Sequence, residues 1–162
     1  MMPPYVIYKG ENCYPAWGQN GPPGARYTAT ASGWLTTYCF RDWFENLALP
    51  LMKRLVGKKV LVGDNLVTHM SAEVIKQCKD NDIDFVCLPP NSTDKTQPLD
   101  VGIFGPMKNS WRNMLRGYRK QDPGAKLLQK TAFPRMLREL METLEPEVLL
   151  PAVGVKYWYR YW

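Results

Sequence analysis

A single histidine, His69, and four cysteines are the only imidazole and thiol groups in these 162 residues. Cys13, Cys39, Cys78 and Cys87 form no CxxC pair and no histidine stands at zinc-finger spacing, so no structural zinc site is expected. Cys78 and Cys87 flank a turn between two apolar segments, where reduced core thiols are expected, and that usage suits an intracellular compartment. No run of 18 apolar residues occurs, so no stretch is offered for a membrane-spanning helix. No basic segment followed by an apolar one opens the chain, so no secretory signal is expected. Internal repeats and low-complexity tracts are lacking too. Acidic residues are the minority, 15 against 21 lysines and arginines, for a net charge of +6. That balance favours an acidic partner, nucleic acid first and an anionic membrane surface second. What is present is enough for one domain with a core: 45% of residues are hydrophobic and the mean hydropathy is -0.36.

Residues 1–33 are rich in proline and glycine turns, with Tyr5-Val6-Ile7-Tyr8 as a short strand inside them. Ser32 is expected to cap a helix beginning at Gly33-Trp34. Trp34, Phe40, Trp43, Phe44 and Leu47 recur at helical spacing and read as one buried face, with Pro50 bending or interrupting the helix before residues 51–55. Residues 58–64 give the clearest strand, a short apolar run that ends in Asp64. A helix starting at Ser71 turns Val74, Ile75 and Cys78 inward. Asn81-Asp82 makes a turn and residues 83–88 form a second strand, stopped by Pro89-Pro90. Strand–helix–strand order implies parallel pairing through a right-handed crossover. A loop over 89–99 leads to a helix from about Asp100 to Lys120, and Phe133–Leu144 gives a last amphipathic helix.

Two aspartates stand out by position. Asp64 closes the first strand of the parallel pair, and Asp100 opens the helix after the second. Ligands gather at the carboxyl ends of strands in open α/β sheets, so both carboxylates are expected in one crevice. Such a pair suits hard divalent cations, and two metals held ~4 Å apart stabilise the attacking and leaving oxygens of a phosphoryl transfer. The plain alternative is a strand-end turn residue and a helix N-cap. His69 could orient a metal-bound water or touch phosphate, or be structural. Asp94 offers a third carboxylate or simple loop solvation. Lys108, Arg112, Arg116 and Arg119, with Lys120, fall on the helix after Asp100, where steps of three and four return to one side. They either track a phosphate backbone or form a solvated face.

Three stretches are more specific than any spacing. They are residues 61–69 (Leu-Val-Gly-Asp-Asn-Leu through His69), 87–93 (Cys-Leu-Pro-Pro-Asn-Ser-Thr) and Gln97-Pro98-Leu99-Asp100. With residues 3–10, Ser32-Gly33-Trp34, Pro106-Met107-Lys108, Trp111-Arg112 and 130–134, they resemble the pogo/Tigger/jerky group of DDE transposase domains. That group includes domesticated DNA-binding proteins related to centromere protein B. The resemblance covers roughly residues 3–150. It implies an α/β, RNase H-like fold in which three acidic residues hold two Mg²⁺ or Mn²⁺ ions, Asp64 as the second and Asp100 as the third. The family's activity is two-metal cleavage and strand transfer of phosphodiesters at transposon ends. The implied partner is DNA, with neither a membrane nor a small-molecule substrate, and the implied compartment is the nucleus.

The chain departs from the pattern in several places. The family's first acidic residue lies on a strand upstream of Pro3-Pro4, so the expected fold is incomplete, lacking the first strands of the sheet. Asp94-Lys95 replaces a histidine and an apolar residue, and Val67 a small polar one. After Pro151 the pattern dissolves, giving a partial DDE domain over 1–150 and a divergent tail over 151–162. With two ligands of three, the expectation is weak metal binding and no nuclease activity from the chain alone. Three readings stay open: a transposase- or endonuclease-derived domain that binds nucleic acid, a domesticated, catalytically dead DNA- or protein-binding module, and a product without a stable fold, because missing strands leave unpaired edges.

Overall fold

The computed structural model describes residues 2–63, 71–88, 104–121, 124 and 127–144. Two short parallel sheets lie among helices in a mixed α/β arrangement. Strand β1 (Tyr5–Lys9) pairs with β2 (Arg26–Thr30) in the register Tyr5↔Arg26 to Lys9↔Thr30. Strand β3 (Lys59–Gly63) pairs with β4 (Ile83–Cys87), Lys59↔Ile83 to Gly63↔Cys87. Helix α3 (Ala72–Asp80) joins the second pair, as the strand–helix–strand pattern requires. Its Val74 and Cys78 are buried against the sheet, and Asp82 turns the chain at φ 55°. Strand β2 falls where the sequence pattern predicts only turns.

Helix α1 (Thr37–Trp43) starts later than the sequence suggests. Its cap is Thr36, whose hydroxyl accepts from the Cys39 amide at 3.2 Å. Ser32 instead accepts from the Trp34 amide at 3.2 Å, closing a turn in front of the helix. Trp34 therefore precedes the helix, and it is 77% exposed rather than part of the core. Phe40, Trp43, Phe44 and Leu47 are buried as the spacing predicts. Pro50 does not end the helical path, which runs through a π turn (Phe44–Ala48) into α2 (Leu49–Lys53). A proline ring clashes with the carbonyl four residues back and donates nothing. Widening the turn just upstream, with the Leu49 amide donating to Phe44 O, lets the chain pass Pro50 without breaking.

Strand β1 sits between two layers. Tyr5 and Ile7 face a core made with α1, the π turn, α2, Leu61, Val74 and Ile83. Val6 and Tyr8 face the opposite way, onto α4 (Phe104–Gln121) and α5 (Phe133–Thr143) through Met107, Trp111, Leu137 and Leu140. Such two-sided burial is what parallel sheets normally have. The β3–β4 sheet has it on one side only: Leu61 and Ile83 are buried, but Val60 and Val86 on the other face are 53% and 46% exposed.

Asp42 ties the first sheet to α1. Tyr5 Oη donates to its Oδ2 at 2.7 Å, Arg26 Nη2 to Oδ1 at 2.8 Å and Arg26 Nε to Oδ2 at 3.3 Å. This two-pronged guanidinium–carboxylate geometry is stronger than a single contact. Burial, then the bond to Asp42, push the Tyr5 phenol well above its ordinary value. Across the core, Arg41 Nη1 donates to Glu73 Oε2 at 2.6 Å and Gln77 Nε2 to Glu45 Oε1 at 2.7 Å, latching α3 onto α1 and the π turn.

Candidate functional site

The parallel ladder of β3 and β4 continues one step past its last pair, the Leu88 amide donating to Gly63 O at 2.8 Å. Gly63 is the residue before Asp64, so the described chain ends at the rim where the sequence sets its first carboxylate. Asp64, His69, Asp94 and Asp100 lie outside the described residues. Among the described residues, no group of three His, Cys, Asp or Glu side chains could hold a metal ion.

Of the residues predicted to meet phosphate, the lysines and arginines are described and His69 is not. Helix α4 carries Lys108, Arg112, Arg116, Arg119 and Lys120, each exposed, and no Asp or Glu along its length. At 3.6 residues per turn, the first four of these fall within an arc of about 80°. Met107, Trp111 and Met114 occupy a different side and pack in the second core, where the Trp111 and Phe133 rings meet edge to face at 5.6 Å. The basic arc thus faces away from the α5 contact. Arg112 Nη1 donates to Asn109 Oδ1 and Arg116 Nη1 to Asn113 Oδ1, each at 3.3 Å. These amides orient the guanidinium groups without neutralising them. Helical spacing alone predicts this face.

No buried thiol or phenol described here is drawn toward neutrality. Burial pushes the Cys78 thiol up to about 11. It also raises the Tyr8, Tyr27 and Cys13 groups, and the hydrogen bond to Glu73 raises Arg41. None of these described groups has the shift toward working pH that acid–base catalysis uses. What the described surface offers is fixed positive charge.

The described residues thus give a mixed α/β domain with a parallel strand ending just before an aspartate and a cationic helix beyond it. The chain belongs to the DDE superfamily endonuclease family, whose model matches residues 1–141. Within it the domain is of the pogo type. Residues of this chain are 26% identical over 116 positions to pogo transposable element with KRAB domain from Mus musculus and to that of Homo sapiens, 68% of this chain and 18% of each relative. A 110-residue stretch is 30% identical to a Cochliobolus lunatus protein named MFS-type transporter clz9, covering 67% of this chain and 12% of that protein. The chain therefore spans less than a fifth of the length of these relatives. No described helix is long and apolar enough to cross a membrane. No solved structure matches the chain significantly. The family is generally dependent on divalent metal.

Proposed function

We propose that this chain is a nucleic-acid-binding domain derived from a DDE-type transposase or endonuclease, with an RNase H-like fold. The observation that carries the reading is α4: 18 residues with an exposed basic arc and no acid. Lys108 to Arg112 to Arg116 to Lys120 are successive i,i+4 neighbours of like charge, each pair costing the helix a few tenths of a kcal/mol. A polyanion laid along the arc removes that cost and releases condensed counterions. The pogo relatives suggest a nuclear setting for such a partner.

Asp64 and Asp100 are the residues proposed to hold Mg²⁺ or Mn²⁺, as the second and third acids of the family's set. Both are hard oxygen donors of the kind these ions select. When bound, the ions supply electrostatic stabilisation to the oxygens of a phosphodiester undergoing displacement. The chain's own part is to fix the acids. Asp64 follows directly on β3, and Asp100 comes four residues before α4 begins.

The test is duplex binding as a function of salt. If four side chains of α4 reach phosphates, log affinity falls against log salt with a slope of roughly -3.6 or steeper. An affinity that ignores salt contradicts the reading.

A further inference from the structure

A chain of contacts runs along the carboxyl edge of the β1–β2 sheet, made by residues other than those of the α4 basic arc. The Tyr14 and Trp17 rings meet edge to face at 5.0 Å. The Lys130 ammonium lies 4.1 Å from the Trp17 ring centroid and donates to Lys9 O, at the end of β1, at 2.6 Å. Gly33, at φ +77°, packs so closely that a Cβ there would sit 3.0 Å from Lys9 Cβ. Trp34 follows it, pinned on both sides by its amide on Ser32 Oγ and by Thr30 Oγ1 donating to its carbonyl at 3.1 Å. Its backbone is thus held in place and is no frayed end.

Two features of this rim point to one kind of ligand. Tyr14 and Trp34 are 55% and 77% exposed, open aromatic faces on a fixed backbone. The two lysines supply positive charge, and among the described residues neither forms an ion pair with a carboxylate. Lys130 spends one of its three N–H donors on Lys9 O and rests over the Trp17 ring, so its charge is held in place without a carboxylate. The acid nearest to Lys9 in sequence is Glu11, a single charge against two. Exposed aromatics and ammonium groups gathered at one end of a sheet are a means by which proteins hold unpaired nucleotides, bases on the rings and phosphates on the cations. A duplex, with its bases stacked inside, offers the rings nothing.

We propose that the carboxyl edge of the β1–β2 sheet binds single-stranded nucleic acid, with Trp34 and Tyr14 stacking bases and Lys9 and Lys130 meeting phosphates. The proposal rests on the nucleic-acid reading above but uses a different surface. The experiment titrates the full chain against a fluorescein-labelled oligothymidylate and a labelled duplex of equal length, following anisotropy. Trp34→Ala is expected to weaken single-strand binding about tenfold, in the range typical of one stacked base, and to leave the duplex affinity unchanged. Trp34→Phe recovers most of the loss, and Lys9→Gln makes the single-strand salt slope shallower by about 0.7. Equal affinity of Trp34→Ala and the unmodified chain for the single strand overturns the proposal, as does an equal loss on both probes. Duplex binding without single-strand binding overturns it while leaving the α4 reading intact. Single-strand binding that disappears in Trp34→Ala, with no duplex binding at all, supports the rim and sinks α4.

Discussion

Replacing Lys108, Arg112, Arg116 and Arg119 together by glutamine is expected to flatten the salt dependence of duplex binding by roughly 3 to 4 in slope, about 0.9 for each phosphate no longer neutralised. Around physiological salt this amounts to a loss on the order of a hundredfold in affinity. The fold should survive, because all four side chains are exposed and the bonds from Arg112 and Arg116 to Asn109 and Asn113 are long and lie on the surface. Relief of like-charge repulsion between i,i+4 neighbours should hold stability level or raise it slightly. Fluorescence anisotropy across a salt series, with urea unfolding as the control, reads both effects. An unchanged slope in a folded variant would mean that α4 is a solvated surface and nothing more.

Trp43→Ala is expected to lose about 3–5 kcal/mol of unfolding free energy, the usual cost of truncating a buried tryptophan. Trp43 is fully buried, with Phe40 at 5.3 Å and Phe44 at 6.2 Å between ring centroids. It lies where α1, β1 and the β3–α3–β4 unit share one core, so the vacated volume has no single flexible neighbour to collapse into it. Domains are commonly stable by only about 5–15 kcal/mol, so the variant should unfold at much lower urea or fail to fold at ambient temperature. A loss below about 1 kcal/mol, the range of surface changes, would show that this core is not what holds the two sheets in one body.

The unit most legible in the sequence is β3–α3–β4. A short apolar run, an inward-facing helix stripe and a second run with a turn between them specify parallel pairing almost alone. The basic arc of α4 is legible for a similar reason, since helical spacing fixes which side chains share a face. Strand β2 is not, because Arg26–Thr30 is only partly buried along most of its length and shows no clean alternation. Placing Trp34 in the core extends a genuine helical period one turn too far. The hydroxyl that caps the helix is Thr36, and residues before a cap owe nothing to the helical face. The role of Asp42 is hidden in the sequence because an acid on an amphipathic helix reads as solvated. Its partners, Tyr5 and Arg26, reach it only once β1 and β2 are paired. Pro50 shows the limit of a local rule: the helix breaker is where the pattern puts it, but a π turn absorbs it.

Asp64 and Asp100 are proposed to share a cation, and the catalytic side of the family assignment depends on that sharing. Manganese titration of the intact chain, Asp64→Ala, Asp100→Ala and the double variant tests it directly, by calorimetry or by the decrease of the free-ion paramagnetic signal. Each single variant should weaken binding by at least the ~10–100-fold typical of lesser, outer-sphere changes at metal sites. The double variant should be no worse than either single one, because residues that act through one ion do not add. Unaltered manganese affinity in both single variants, or two losses that simply sum, would contradict a shared site.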